Sequence, residues 1–283
     1  MRKSILKILG AMLFAYLGIL IAIIAWQRPL LYRAQPLGKE TPQQFGVVYE
    51  DVQIQTADGG VLNGWFVPAK TDAPTVTMLY LHGNASSLSY FAHVPKIFFD
   101  YGWEALYFDY RGFGKSTAGT LPLTQAGLKA DATAAFDWLR AHGKNPDNIV
   151  VWGFSLGSAV AAQLTTERTP AALILEGSFP STLTVAQHHY PWLPLFPFMI
   201  FDRFDTAAAL EKHIFPILFI HGAQDGVAPL VMGQQLYKAI SAPKQFIVVP
   251  NIGHTQFPDV HEQYRVQIQN FVAQALSEKI TGR

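Results

Sequence analysis

The 283-residue chain contains no cysteine. That absence excludes disulfides, a thiolate nucleophile, iron-sulfur clusters and cysteine-ligated zinc, and it says nothing of the compartment. Charge is scarce as well. Lys, Arg, Asp and Glu make up 14% of the sequence, and 21 basic against 20 acidic residues leave a formal net charge of +1. Without a global basic field, nucleic acid is not an expected partner. Half of the residues are hydrophobic, too many for disorder, so the chain must build a core. There is no internal repeat.

The apolar residues are unevenly spread. From Ile8 to Trp26 no charge interrupts the sequence, and a run of about 20 apolar residues is the signature of a membrane span. A cleaved signal has a shorter apolar region and a small-x-small cleavage site, whereas here Ile23 stands two positions before Ala25. The segment therefore reads as an uncleaved anchor, with Trp26 suited to the interface and Arg28 and Arg33 to lipid headgroups. Arg2, Lys3 and Lys7 precede the span, while Arg28, Arg33 and Lys39 follow it. This slight bias puts the amino terminus inside and the domain on the extracytoplasmic side. The expected division is an anchor over residues 1–30 and a domain over residues 31–283.

In the domain, Val47–Thr56 alternates, Asp58-Gly59-Gly60 supplies a turn, and Val61–Val67 follows, which predicts a hairpin. Short apolar runs then alternate with helical segments at Val76–Leu81, Glu104–Phe108, Ile149–Trp152, Ala172–Leu175, Ile217–Ile220 and Phe246–Val249. Runs of this kind are strands buried on both faces of a mostly parallel sheet. Apolar stripes at Leu128, Ala132, Ala135, Phe136 and Leu139, and at Tyr264, Ile268, Phe271, Val272 and Ala275, predict covering helices. The expected class is α/β, doubly wound with an antiparallel edge, and chemistry in such sheets sits beyond the carboxyl ends of the strands.

Gly153-Phe154-Ser155-Leu156-Gly157 lies between a predicted strand and a helical run, the context that the G-x-S-x-G motif requires. A serine on so sharp a turn crowds the residues two before and two after it, and glycine relieves both clashes. The Ser155 hydroxyl needs a base held by a third group. Of nine histidines, His254 is preferred because it sits in the loop after the last strand. His82, His142 and His221 read as structural, and His261 as opening the terminal helix. Asp225, just past the Ile217–Ile220 strand, is the preferred orienting acid and completes the order Ser, acid, His. Glu176, at the end of the preceding strand, is its rival. Leu156 N–H supplies one oxyanion donor, and the His82-Gly83-Asn84-Ala85 turn the other, through Asn84 N–H.

No metal and no cofactor is expected. His188 and His189 are adjacent and do not share a helix face, and no metal-binding spacing accompanies them. Gly114-Lys115-Ser116 ends like a phosphate-binding loop, but the glycine needed five residues earlier is Asp109. That segment reads as a loop beside the site.

These pieces resemble the α/β-hydrolase superfamily, and more narrowly its membrane-anchored α/β-hydrolase-domain serine hydrolases. The matching residues are His82-Gly83-Asn84, Asp109-Tyr110-Arg111-Gly112-Phe113-Gly114, Gly153 to Ser158, His221-Gly222 with Asp225 and Pro229, and Gly253-His254. The resemblance implies the α/β-hydrolase fold behind one transmembrane helix, and acyl transfer through Ser155 on ester or thioester substrates of acyl or lipid-like character. A serine peptidase and a catalytically silent membrane-tethered binding module are the alternatives.

Between the sixth and seventh strands, residues 179–213 break the alternation and carry Tyr190, Trp192, Phe196, Phe198, Phe201 and Phe204. A connection this long reads as a lid, with Trp192 and Phe196 as candidate substrate-binding residues. A small subdomain packed on its own aromatics is the other reading the segment allows.

Overall fold

Each short apolar run is a strand of a single sheet in the computed structural model, which describes residues 2–71, 76–254 and 257–280. The strands are β1 (Glu50–Gln55), β2 (Val61–Val67), β3 (Thr77–Leu81), β4 (Glu104–Phe108), β5 (Ile149–Phe154), β6 (Ala172–Glu176), β7 (Ile217–Gly222) and β8 (Lys244–Val249). Their order is β1-β2-β4-β3-β5-β6-β7-β8. The hairpin β1-β2 is antiparallel and joins β4 antiparallel, while every pairing from β4 to β8 is parallel. The helices are α1 (Arg2–Ala25), α2 (Gln27–Leu31), α3 (Val94–Tyr101), α4 (Gln125–Ala141), α5 (Leu156–Thr165), α6 (Thr182–His189), α7 (Thr206–Leu210), α8 (Leu230–Ala239) and α9 (Phe257–Ile280). Helix α9 begins four residues before His261, so that histidine does not open it as expected.

Strand periodicity distributes the core over both faces of the sheet. Val150 and Trp152 of β5 pack with Phe98 of α3 and with Ile268 and Phe271 of α9. Val151, with Leu79, Leu106 and Leu173, packs against Leu128 and Phe136 of α4 and Val160 of α5. Both faces are covered over β3 to β7, which is why those strands read as continuous apolar runs rather than as alternation. The edge strand β8, expected to be buried on both faces, instead buries Ile247 and Val249 and exposes Val248, because no strand lies beyond it. A buried side chain of this size contributes about 1.5–3 kcal/mol, and truncating Phe136 to Ala would cost about 3–5 kcal/mol.

The loop after β4 is held by ions. Arg111 is fully buried and reaches Asp131 of α4 at 2.7 Å and Asp58 of the hairpin turn at 2.9 Å. Ser116, in the segment that resembles a phosphate-binding loop, donates its hydroxyl to Asp109 O instead.

Helix α1 stands largely free of the domain. Residues Lys3–Ala25 are long and apolar enough to cross a membrane, with a mean hydropathy of 2.6, and 24 helical residues extend about 36 Å. Its carboxyl-terminal half nevertheless touches the 179–213 connection. Leu20 packs with Leu193 and Leu195, and the Tyr16 hydroxyl donates to Trp192 O at 3.2 Å. The aromatics of that connection form no core of their own. Phe204 is buried, but Tyr190, Trp192, Phe196, Phe198 and Phe201 are exposed.

Candidate active site

The turn from β5 into α5 carries Ser155 with φ 53° and ψ −117°, a left-handed region that an L-residue occupies only when its surroundings impose it. Ser155 N–H donates to Glu176 O across the sheet at 2.8 Å, and Ser158 N–H donates to Ser155 O at 2.9 Å. These bonds pin both sides of the turn. A Cβ on Gly157 would collide with Leu81 O, and one on Gly153 with Gly157 O. The two glycines are therefore steric requirements of this turn.

Three polar side chains converge there. Ser155 Oγ lies 2.8 Å from His254 Nε2, and His254 Nδ1 lies 2.7 Å from Asp225 Oδ2. The arrangement fits one tautomer, in which Nδ1–H donates to the carboxylate and Nε2 accepts from the serine. The other Asp225 oxygen, Oδ1, accepts from Val227 N–H at 2.9 Å and Ala228 N–H at 2.8 Å. Burial alone would raise the Asp225 carboxyl, but its bonds with His221 and His254, the His254 charge and the Ala228 N–H outweigh that effect and hold it below the ordinary range.

A family model described as serine aminopeptidase, S33, matches residues 72–195. The Mycobacterium tuberculosis protein Rv2307c is 35% identical over 240 residues, covering 84% of this chain and 83% of its own. The chain belongs to the α/β-hydrolase superfamily. The lysophosphatidylserine lipase ABHD12 of Macaca fascicularis is 34% identical over 200 residues, which cover 63% of this chain and 48% of that protein. Among solved structures, the α/β hydrolase of Vibrio vulnificus matches with a TM-score of 0.71 at 21% identity, over 87% of this chain and 92% of that one.

Within this hydrolase the rival acid occupies a different position. Glu176 is fully enclosed and accepts from Trp152 Nε1 at 3.0 Å. Burial pushes its carboxyl well above the ordinary value, the indole N–H opposes that, and the Asp225 charge adds to it, so the two neighbouring carboxyls are driven in opposite directions. A cavity of about 10 Å³, about one water in size, is lined by Glu176, Asp225 and His254 among others.

Trp192 and Phe196 lie elsewhere, about half exposed at 56% and 50%. Trp192 adjoins α1 through its carbonyl, and Phe196 stacks on Phe198 with ring centroids 5.8 Å apart. Leu156 opens α5, directly after the serine, and Asn84 lies in the loop after β3.

Two residues at the site were not legible as such. His221, read as structural, places Nε2 3.4 Å from Asp225 Oδ2 while facing Ala228 O at 2.7 Å. Gly177, with φ 56°, lies so close to the imidazole that a Cβ there would be 3.1 Å from His254 Cε1. For Gly177 the only sequence signal was its place at the end of a strand, and His221, though part of the His221-Gly222 piece that carries the resemblance, gave no sign that it would meet Asp225.

Proposed function

We propose that this protein is a serine hydrolase of carboxylic esters or thioesters with acyl or lipid-like substrates, in which Ser155 is the nucleophile, His254 the general base and Asp225 the orienting acid. The observation that carries this reading is the unbroken chain from Ser155 Oγ through His254 to Asp225, at 2.8 and 2.7 Å, on a sharply constrained turn. Ser155 Oγ attacks the acyl carbon as its proton passes to His254 Nε2. The carbonyl oxygen takes the negative charge, which Leu156 N–H and Asn84 N–H receive. Collapse expels the alcohol or thiol, which takes its proton from His254, and leaves an acyl-Ser155 ester. Water, deprotonated by His254, then attacks that ester and releases the acid. Asp225 stays ionised throughout, holds the imidazole tautomer and stabilises the imidazolium.

On this reading residues 1–30 anchor the domain of residues 31–283 to a membrane, on the extracytoplasmic side, and residues 179–213 are the lid. Tyr16, whose hydroxyl meets Trp192 O, stands ten residues before Trp26, about 15 Å along a helix. An α1 that spans the bilayer would carry Trp192 and Phe196 toward the acyl chains. The name of the lipase relative supports a lipid-like substrate.

The name of the matched family model favours a second reading, an aminopeptidase, because the same triad cleaves amides. Matched p-nitrophenyl esters, acyl thioesters and aminoacyl p-nitroanilides separate the two. Turnover of esters or thioesters by wild type and none by Ser155→Ala supports the proposal, whereas turnover confined to anilides replaces it with the peptidase.

A further inference from the structure

The chain leaving the apolar helices does not run straight into the sheet. Residues 28–36 cross the catalytic end of the domain and are fastened at successive points. Arg28 Nε pairs with Asp202 Oδ2 at 2.9 Å. Tyr32 is buried, its ring edge-on to Phe204. Gly114 N–H donates to Gln35 O at 2.9 Å, and the Ser87 hydroxyl donates to Pro36 O at 3.1 Å.

At the centre of this segment is Asn84. Its Oδ1 accepts from Arg33 N–H at 2.9 Å, and its Nδ2–H donates to Leu31 O. The carboxamide thus uses its donor and its acceptor on one short stretch of backbone, which sets its orientation without ambiguity. The loop it belongs to adjoins the nucleophile, since a Cβ on Gly83 would lie 3.3 Å from Ser155 Cβ. The next residue, Ala85, has φ 59°, a conformation that an alanine does not adopt by its own preference. From below, the loop is held at His82, whose carbonyl accepts from Tyr110 and whose Nδ1 faces Gly83 O at 2.7 Å. Asn84 is held from above.

We propose that residues 28–36 are a strap that keeps the oxyanion loop in its working position, with the Asn84 carboxamide as its clasp. The inference rests on the serine hydrolase reading and adds to it a positioning role for the Asn84 side chain, separate from its backbone N–H. Oxyanion donors act only within a narrow geometry, and a donor on a loop keeps that geometry only when neighbouring groups lock it. The strap follows α1 directly and takes in residues 28–31 of α2, so its fastenings to Asp202, Phe204, Asn84, Gly114 and Ser87 all lie within the domain.

The test uses full-length protein in one detergent, a short p-nitrophenyl ester, and phenylboronic acid as a mimic of the tetrahedral intermediate. Asn84→Ala removes the clasp and keeps the N–H. Arg33→Pro removes the strap's donor without touching a buried side chain, since Arg33 is exposed, and Arg33→Ala keeps that donor. Loss of one oxyanion donor outright costs about 10²- to 10³-fold, so a loosened one should cost about 10- to 100-fold. Asn84→Ala and Arg33→Pro should each lower kcat by that factor with KM within about twofold, and should weaken boronate binding in parallel. Arg33→Ala should match wild type, and the double variant Asn84→Ala/Arg33→Pro should be no worse than Asn84→Ala. If Asn84→Ala does not fold, Arg33→Pro against Arg33→Ala decides alone. Equal rates for those two, a loss confined to KM, or multiplicative losses overturn the strap while wild type stays active. A wild type inert toward every ester overturns the hydrolase reading and the strap with it.

Discussion

His221 Nε2 stands 3.4 Å from Asp225 Oδ2, the same oxygen that His254 Nδ1 approaches to 2.7 Å. A second buried histidine therefore meets the same carboxylate oxygen as His254, and its contact with Ala228 O ties it to the loop that supplies the backbone donors to Asp225. His221→Phe keeps a ring of similar size and removes both polar contacts. It should lower kcat on the order of tenfold with KM little changed. Steady-state kinetics on a short ester check this, and an unchanged kcat would make His221 a packing residue only.

Asp225→Asn and Glu176→Gln separate the two acids. The first turns a carboxylate that accepts from Nδ1–H into an amide that no longer fixes the tautomer, and the expected loss in kcat is on the order of a thousandfold or more. The second exchanges one buried group for another of the same shape, and burial already pushes the Glu176 carboxyl well above its ordinary value, toward the uncharged form that the amide resembles. It should cost less than about tenfold, in line with a lost or weakened hydrogen bond of about 1 kcal/mol. The opposite ranking would move the acid to β6.

Under the oxyanion loop, His82 and Asp109 form a buried pair 3.5 Å apart. Burial raises the Asp109 carboxyl from 3.8 to about 7, opposed by the Leu88 N–H, and lowers His82 from 6.5 to about 4, opposed by its bond with Gly83. Between pH 4 and 7 folded Asp109 keeps a proton that the unfolded chain has released, so its contribution to stability falls as pH rises. His82 acts the other way between pH 4 and 6.5, where the unfolded chain binds a proton that the folded one excludes, so the two slopes offset. Asp109→Asn removes only the first. Its stability relative to wild type should climb from pH 4 to 7, by up to about 1.4 kcal/mol per pH unit. Thermal unfolding of both proteins at several pH values reads this gap, and a pH-independent gap would contradict a neutral Asp109.

Much of the fold was legible because strands buried on both faces leave uninterrupted apolar runs. Glu104–Phe108 and Val61–Val67 appear with the expected limits. The runs stop early where the chemistry begins. The segments Ile149–Trp152, Ala172–Leu175 and Ile217–Ile220 continue as strands to Phe154, Glu176 and Gly222, because glycine, histidine and glutamate lower hydropathy without ending the backbone ladder. The convergence of Ser155, Asp225 and His254 follows the motif and the order expected of them. His221 on Asp225, and Asn84 on Leu31 and Arg33, were not legible, since such contacts depend on where side chains point. The 179–213 segment was recognisable as an interruption, but its seat against Leu20 and Tyr16 of α1 required residues distant in the chain to meet.

Removing residues 1–26 tests the anchor without cutting the strap. The truncated protein should turn over a short, water-soluble ester within about threefold of full length, since the triad lies outside α1. Against long-acyl substrates in vesicles it should lose activity, because a tethered enzyme meets lipid at high local concentration. Trp192→Ser with Phe196→Ser should lose the same selectivity in the full-length protein. A constant ratio of short-ester to long-acyl rates would reduce the anchor to a localisation device.

Activation of Ser155 by His254 is read most directly by peptide mapping with mass spectrometry after treatment with a fluorophosphonate. One adduct is expected, on Ser155, that Ser155→Ala abolishes and His254→Ala slows by orders of magnitude while both variants remain folded. An unlabelled wild type, an adduct on another residue, or labelling indifferent to His254 would contradict that activation.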